Sequence, residues 1–342
     1  MTTSALSSPS RSTALLGLVG IAAGLVVGVL APQLSGAAAA AREPMVMLLV
    51  TLLFLELRPI GGGAALRSRR GLGVLGLLVV CNFLLLPALA WGLSWLFLPG
   101  PEQEMVRLGV LIYLLFPCAD WFLGFVRLAG GSTALGAALI PMHLGLQLAL
   151  YPFWVSLAAG GAVDGVLERL GPALVSMVLV PAGVAVVLRL IAARLSGARG
   201  ADPSAGFSVD LSSWLIAGAG RAVPVVLAGL LAVLLAGGSG QLVGALDVVA
   251  PALAAVVVFF AASTVLLELV SRGLRLRHEE TALLCVSGAA RNAPLMLALT
   301  SATLGPDPVL AATIVLGMLL EFPHLVLLAD RLRRRRAMTL AA

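Results

Sequence analysis

Apolar runs of about twenty residues, each long enough as an α-helix to cross a hydrocarbon layer, follow one another along this chain with brief polar breaks. They lie near 14–31, 44–57, 72–98, 105–127, 132–157, 172–193, 212–236, 244–270, 280–304 and 308–329. Two of the runs are interrupted by helix-breaking and polar residues. LLFPCADWFLGFVRLAGG carries Pro117, Cys118 and Asp120, and LCVSGAARNAPLMLALT carries Ser287, Gly288, Arg291, Asn292 and Pro294. Each ends in a glycine corner (Gly130-Gly131, Gly305-Pro306) and is followed by another long apolar run. Pro117 has no amide proton and releases carbonyls upstream of it; Gly288 and Pro294 are expected to interrupt their helix in the same way. Unpaired backbone survives at membrane depth only where protein or a water-lined cavity satisfies it. A matched pair of broken helices is the strongest sequence pointer to a solute site near the midplane.

The expected fold is all-α and membrane-integral, with ten transmembrane helices in an inverted 5+5 repeat whose helices 4 and 9 break and cross. Residues 1–12, rich in Ser and Thr, read as a disordered cytoplasmic tail. Residues 13–330 form one transporter domain, with repeats at about 13–160 and 170–330, and 331–342 form a basic cytoplasmic tail. GGSTALGAALIPMHLGLQ aligns with LGPDPVLAATIVLGMLLE, so Gln147 corresponds to Glu321. The seventh run contains Arg221 and is expected either to span whole or to begin only at Ala222, with 207–220 in the interface; GGSGQ (Gly237–Gln241) reads as a turn.

Composition supports the membrane reading. Hydrophobic residues make up 60% and charged residues 11%, a balance no water-soluble domain of this size could carry without an overwhelming apolar surface. All basic residues are arginine. With the N-terminus inside, seventeen arginines face the cytoplasm and only Arg42, Arg107 and Arg169 face outward, so both termini are expected in the cytoplasm of a multi-pass inner (plasma) membrane protein. The RLRRRR tail then reads as an anchor to anionic lipid, and no nucleic-acid partner is implied. The first run resembles a signal peptide in outline, but removing it would spoil the repeat, so it is expected to be retained. Three cysteines in three different runs give no disulfide framework. With no phosphate loop and three scattered histidines, neither an enzyme nor a cofactor is implied. Oligomeric state is not encoded in any readable feature.

PCADWFLGFVRLAGGSTALGAALIP, SGAARNAPLMLAL and ATIVLGMLLEFPHLVLL together resemble the arsenite-efflux permeases of the bile acid/sodium symporter superfamily, most specifically at Pro117-Cys118 and Leu320-Glu321-Phe322-Pro323. The resemblance implies export of trivalent arsenic, arsenite and antimonite, in exchange for protons, with Cys118 as the essential cysteine. Soft trivalent arsenic exchanges hydroxyl for thiolate sulfur, so Cys118 is the expected transient arsenic ligand. A glutamate usual in helix 9 of the permeases is Pro294 here, and the sodium-ligand positions of sodium-coupled relatives hold Phe122, Leu123, Ser287 and Arg291. Sodium coupling is therefore not expected. The rival reading is a sodium-independent organic-anion carrier of the same superfamily, with Arg291 as counter-charge.

An intramembrane arginine requires a partner. Asp120 is the expected one, in a pair that either breaks during transport or statically holds the broken helices. Ser287, Arg291 and Asn292 join Cys118 as expected substrate contacts; Glu321 is either a proton carrier or a fixed acceptor for broken backbone. His143 is expected to be a packing residue outside the site. The expected partners are thus a small inorganic or anionic solute, protons and the lipid bilayer.

Overall fold

A computed structural model describes residues 9–56, 68–118, 122–158, 166–199, 211–244, 246–305 and 307–341. Among these residues there is no strand, and twelve helices account for nearly all regular structure. They are α1 (Pro9–Leu30), α2 (Ser35–Glu56), α3 (Arg69–Phe97), α4 (Glu104–Leu115), α5 (Phe122–Leu128), α6 (Thr133–Ala158) and α7 (166–199). After them come α8 (Leu211–Gly244), α9 (Leu246–Gly273), α10 (His278–Ala289), α11 (Ala293–Leu304) and α12 (Pro308–Ala341). Six of the described helices are long and apolar enough to cross a membrane, which makes this a multi-pass membrane protein. By contrast α4, α10 and α11 have 12 residues each. At 1.5 Å per residue that is about 18 Å, little more than half of a hydrocarbon layer of about 30 Å.

α1 and α2 pack along α8, and α7 lies against α2 and α8. The α1–α8 contact is close because Gly20 and Gly24 have no side chains: a Cβ on Gly20 would lie 2.2 Å from the Ala228 carbonyl oxygen, and one on Gly24 2.5 Å from that of Ala232. Small residues one turn apart allow this backbone-to-backbone approach in lipid, where no hydrophobic force separates helix from tail. The remaining helices form a second group around α4, which is buried from Val106 to Leu115 by α3, α6, α9 and α12. Contacts of α12 with α8 join the groups.

Several ends differ from expectation. α1 is already helical at Pro9, the first described residue, inside the stretch read as a tail. α8 is continuous from Leu211 to Gly244, so no break falls at Ala222 and no Gly237–Gln241 turn divides it; 207–210 of the expected interfacial segment lie outside the described residues. Arg221 lies on an exposed face, where a long aliphatic stem carries the charge toward the interface without unwinding the helix. α12 runs on through the arginine-rich stretch to Ala341. Arg333 and Arg334 pair with Asp330 one turn back, while Arg331 and Arg335 reach Glu268 of α9, so the basic residues extend the helix.

Candidate functional site

The residue before a proline is pushed out of the helical region, and α4 accordingly ends at Leu115 with Phe116 extended (φ −112°, ψ 117°) ahead of Pro117. α10 ends at Ala289 with Ala290 also extended (φ −82°, ψ 128°). The two extended pieces meet as an antiparallel bridge, Pro117 opposite Arg291. Pro117 cannot donate, so its neighbours do: Cys118 N–H donates to the Ala290 carbonyl at 2.9 Å, and Asn292 N–H to the Phe116 carbonyl at 3.0 Å. The interrupted segments thus satisfy each other's released backbone groups. Asn292 then opens α11, with Pro294 in its first turn.

Gly288 plays a different part from the expected one. It remains inside α10, and the departure from helix falls at 290–292. Its missing side chain admits a neighbour instead, since a Cβ there would lie 2.2 Å from Leu267 Cδ1 of α9. Likewise Pro294 begins a half-helix rather than ending one, placing its absent N–H where helix donors have no partner.

Arg291 is wholly buried. Its Nη1 donates to the Leu114 carbonyl at 3.0 Å; its Nη2 donates to the Gly288 carbonyl, and at 3.4 Å faces both the Ser287 carbonyl and Asn82 Oδ1. Phe259 presents its ring 5.5 Å from the guanidinium carbon. Asn82 sits in a π turn, Cys81–Leu85, inside α3, and its Nδ2 donates to Leu78 O and Ser287 Oγ. The expected partner Asp120 lies outside the described residues; among those described, Arg291 forms no ion pair with a carboxylate. Glu321 instead accepts from the Arg291 backbone N–H at 3.1 Å and from the Tyr113 hydroxyl at 2.8 Å.

On the other side of the bridge, His143 Nδ1 lies 3.0 Å from the Cys118 carbonyl, which fixes that nitrogen as the protonated one. One turn along α6, Gln147 Oε1 accepts from Asn292 Nδ2 at 2.8 Å. Among the described residues, His143 Nε2, Gln147 Nε2 and Asn292 Oδ1 are buried and have no hydrogen-bond partner. Buried polar atoms are nearly always paired, so these three stand out at the crossing as one donor and two acceptors that a polar solute could use. Cys118 itself is 1% exposed and not disulfide-bonded. No group of three or more His, Cys, Asp or Glu gathers among the described residues.

The crossing therefore brings together Cys118, Ser287, Arg291, Asn292, Pro117 and Glu321, and adds Asn82, Tyr113, His143 and Gln147. Each added residue is a polar or hydroxylated side chain within an apolar helix, a signal present in the sequence. Beside it, Leu227 and Leu231 of α8, Pro294 and Leu297 of α11, and Ile314 and Met318 of α12 line a narrow apolar cleft of about 10 Å³.

The model of the Sodium Bile acid symporter family matches residues 44–234, a stretch from α2 into α8 that includes the first broken segment. No curated protein matches the chain.

Proposed function

Because the chain belongs to the sodium bile acid symporter family, we propose that it is a secondary transporter that exports trivalent arsenic, arsenite and antimonite, in exchange for protons. The observation that carries the reading is the thiol-bearing Cys118 at the crossing, with the unpartnered atoms of His143, Gln147 and Asn292 close by. Arsenite is largely uncharged at neutral pH and avoids the penalty of burying an ion. Its hydroxyls both donate and accept, which suits a mixed set of one spare donor and two spare acceptors. Exchange at Cys118 forms one As–S bond and breaks one As–O bond; the leaving hydroxide takes up the thiol proton and departs as water. A single sulfur holds the ion loosely enough for release.

In this reading the helices form ten spans in an inverted 5+5 arrangement: the pair α4–α5 makes the fourth and α10–α11 the ninth. Both termini lie in the cytoplasm of the inner membrane. Asp120 and Glu321 are the acids through which proton exchange would run. Ser287 acts through Asn82, and Arg291 as scaffold rather than substrate ligand. Arsenite uptake into everted vesicles, with and without a pH gradient, tests the proposal. Cys118→Ser is expected to abolish uptake; wild-type flux in that variant would remove the arsenic ligand and with it the arsenic assignment.

A second reading, with an organic anion as the solute, draws on the wholly apolar lining of the narrow cleft beside Pro294, which would have to widen to admit it. Its carrier would need a counter-charge other than Arg291, whose terminal nitrogens are engaged by carbonyls and Asn82. Thermal stabilisation of the purified protein by organic carboxylates, without response to arsenite, would select this alternative.

A further inference from the structure

The carbonyls that hold Arg291 have a common origin. Leu114 is in the last turn of α4, and Ser287 and Gly288 are in the last turn of α10. The last carbonyls of a helix have no partner within it and carry its negative dipole end. Two such ends converge here from opposite partners of the crossing, with Asn82 Oδ1 adding a further oxygen and the Phe259 ring a negative face. In discontinuous-helix carriers, half-helix C-terminal ends and unwound carbonyls are the groups that coordinate the coupling cation. In this chain the guanidinium fills that oxygen cage.

We propose that Arg291 is a tethered cation standing permanently in the position of an exchangeable monovalent ion. The carbonyl cage is thereby neutralised without sodium or potassium, and the crossing is assembled at all times. A guanidinium suits the role because its planar fork presents several donors at once and is weakly hydrated, so little solvation is lost on burial compared with an ammonium. The chain supplies charge at no concentration cost, and the crossing loses its dependence on an ion gradient. This holds whichever solute is carried.

The test uses unfolding rather than transport, so its failure is distinguishable from failure of the arsenic reading. The full chain, purified in detergent, is melted in sodium, potassium or choline chloride at equal ionic strength, and with low millimolar methylguanidinium. The wild-type midpoint is expected to be the same in all three salts. Arg291→Ala, which empties the cage, is expected to melt lower and to recover saturably with sodium or methylguanidinium. Saturable sodium stabilisation of the wild type would overturn the proposal, as would an Arg291→Ala protein indifferent to every cation. If that variant does not fold in any salt, Arg291→Lys decides: it keeps a tethered charge and is expected to fold, less stably, without a sodium response. A sodium-dependent Arg291→Lys would refute the tether.

Discussion

Removing the Tyr113 hydroxyl should loosen the crossing by an amount the geometry sets. The hydroxyl donates to Glu321 Oε2 at 2.8 Å with both side chains wholly buried. A hydrogen bond to a charged group is worth about 1.5–3 kcal/mol net. Tyr113→Phe keeps the ring and its edge-on contact with Phe260 at 6.5 Å between centroids, so packing is conserved. The expected loss is about 2 kcal/mol. Gly317, one helical turn before Glu321 on α12, explains why the ring fits: a Cβ there would be 2.5 Å from Tyr113 Cε1, against about 3.5–4.0 Å for carbons in contact. Gly317→Ala must push the ring away from Glu321 and should cost about 1–3 kcal/mol. Reversible unfolding in mixed micelles of Tyr113→Phe, Glu321→Gln and the double variant gives the coupling directly. We expect about 1–2 kcal/mol between the two positions. A coupling within about 0.5 kcal/mol of zero would show that Tyr113 and Glu321 merely lie side by side, and would remove the reason for placing Gly317 beneath the ring.

Gly20→Ala should destabilise the α1–α8 contact by about 1–3 kcal/mol, because the new methyl meets the Ala228 backbone, which cannot move aside. Gly36→Ala in α2, where a Cβ meets nothing within 4 Å, is the control and should be neutral or stabilising in the same melting experiment. Gln147→Leu should weaken arsenite binding by at least tenfold, since it removes both a spare donor and the partner of Asn292 Nδ2; unchanged binding by isothermal titration would take α6 out of the site. Arg70→Ala should matter little. Arg70 Nε and Nη2 donate to the two Glu280 carboxylate oxygens at 2.6 and 2.7 Å, but the Arg70 side chain is 50% exposed and solvent screens the pair; a large loss of stability would show that the pair does more than hold the start of α10.

The first break was legible because proline acts locally, whereas the second falls at 290–292, between the two residues expected to make it. Pro117 removes a donor and forces its predecessor out of the helix, wherever the segment ends up in space. The long apolar helices were legible for an equally local reason, their length. What served Arg291 was not. A search along the chain for an intramembrane partner looks for opposite charge and finds Asp120, which lies outside the described residues; it does not find the carbonyls of Leu114, Ser287 and Gly288 that accept from Arg291. Backbone oxygens are present at every residue, and only the tertiary meeting of two helix ends selects these. For a related reason Asn82 and Tyr113 were not singled out, Gln147 was noted only as the counterpart of Glu321, and His143 was read as a packing residue outside the site. Each is a single polar side chain on an apolar helix and packs unremarkably when read alone; their significance lies in facing the same bridge. Gly288 shows the reverse error. Read as a breaker that frees backbone carbonyls as Pro117 does, it stays within the helix and makes room for Leu267 by its lack of volume.

The two sides of the bridge are chemically unlike, and that asymmetry bears on how a solute and a charge could be linked. On one side lie Arg291, the helix-end carbonyls and Asn82; on the other lie Cys118, His143 and Gln147. A single antiparallel contact divides them, with the Cys118 amide on the Ala290 carbonyl and the Asn292 amide on the Phe116 carbonyl. Asn292 belongs to both: its backbone closes the bridge while its side chain holds Gln147. A guest that draws on Cys118 or on the Asn292 amide therefore pulls on the residues either side of Arg291, and through the Arg291 N–H on Glu321. Coupling through so short a route needs no long chain of intermediates, only two arrangements of this one contact. Asn292→Ala separates the roles, because it deletes the side chain and leaves both backbone hydrogen bonds. If the bridge alone carries the link, that variant should bind solute weakly yet retain the stability shared between Cys118 and Glu321 in a double-mutant cycle. Loss of that coupling would locate the link in the Asn292 amide group instead.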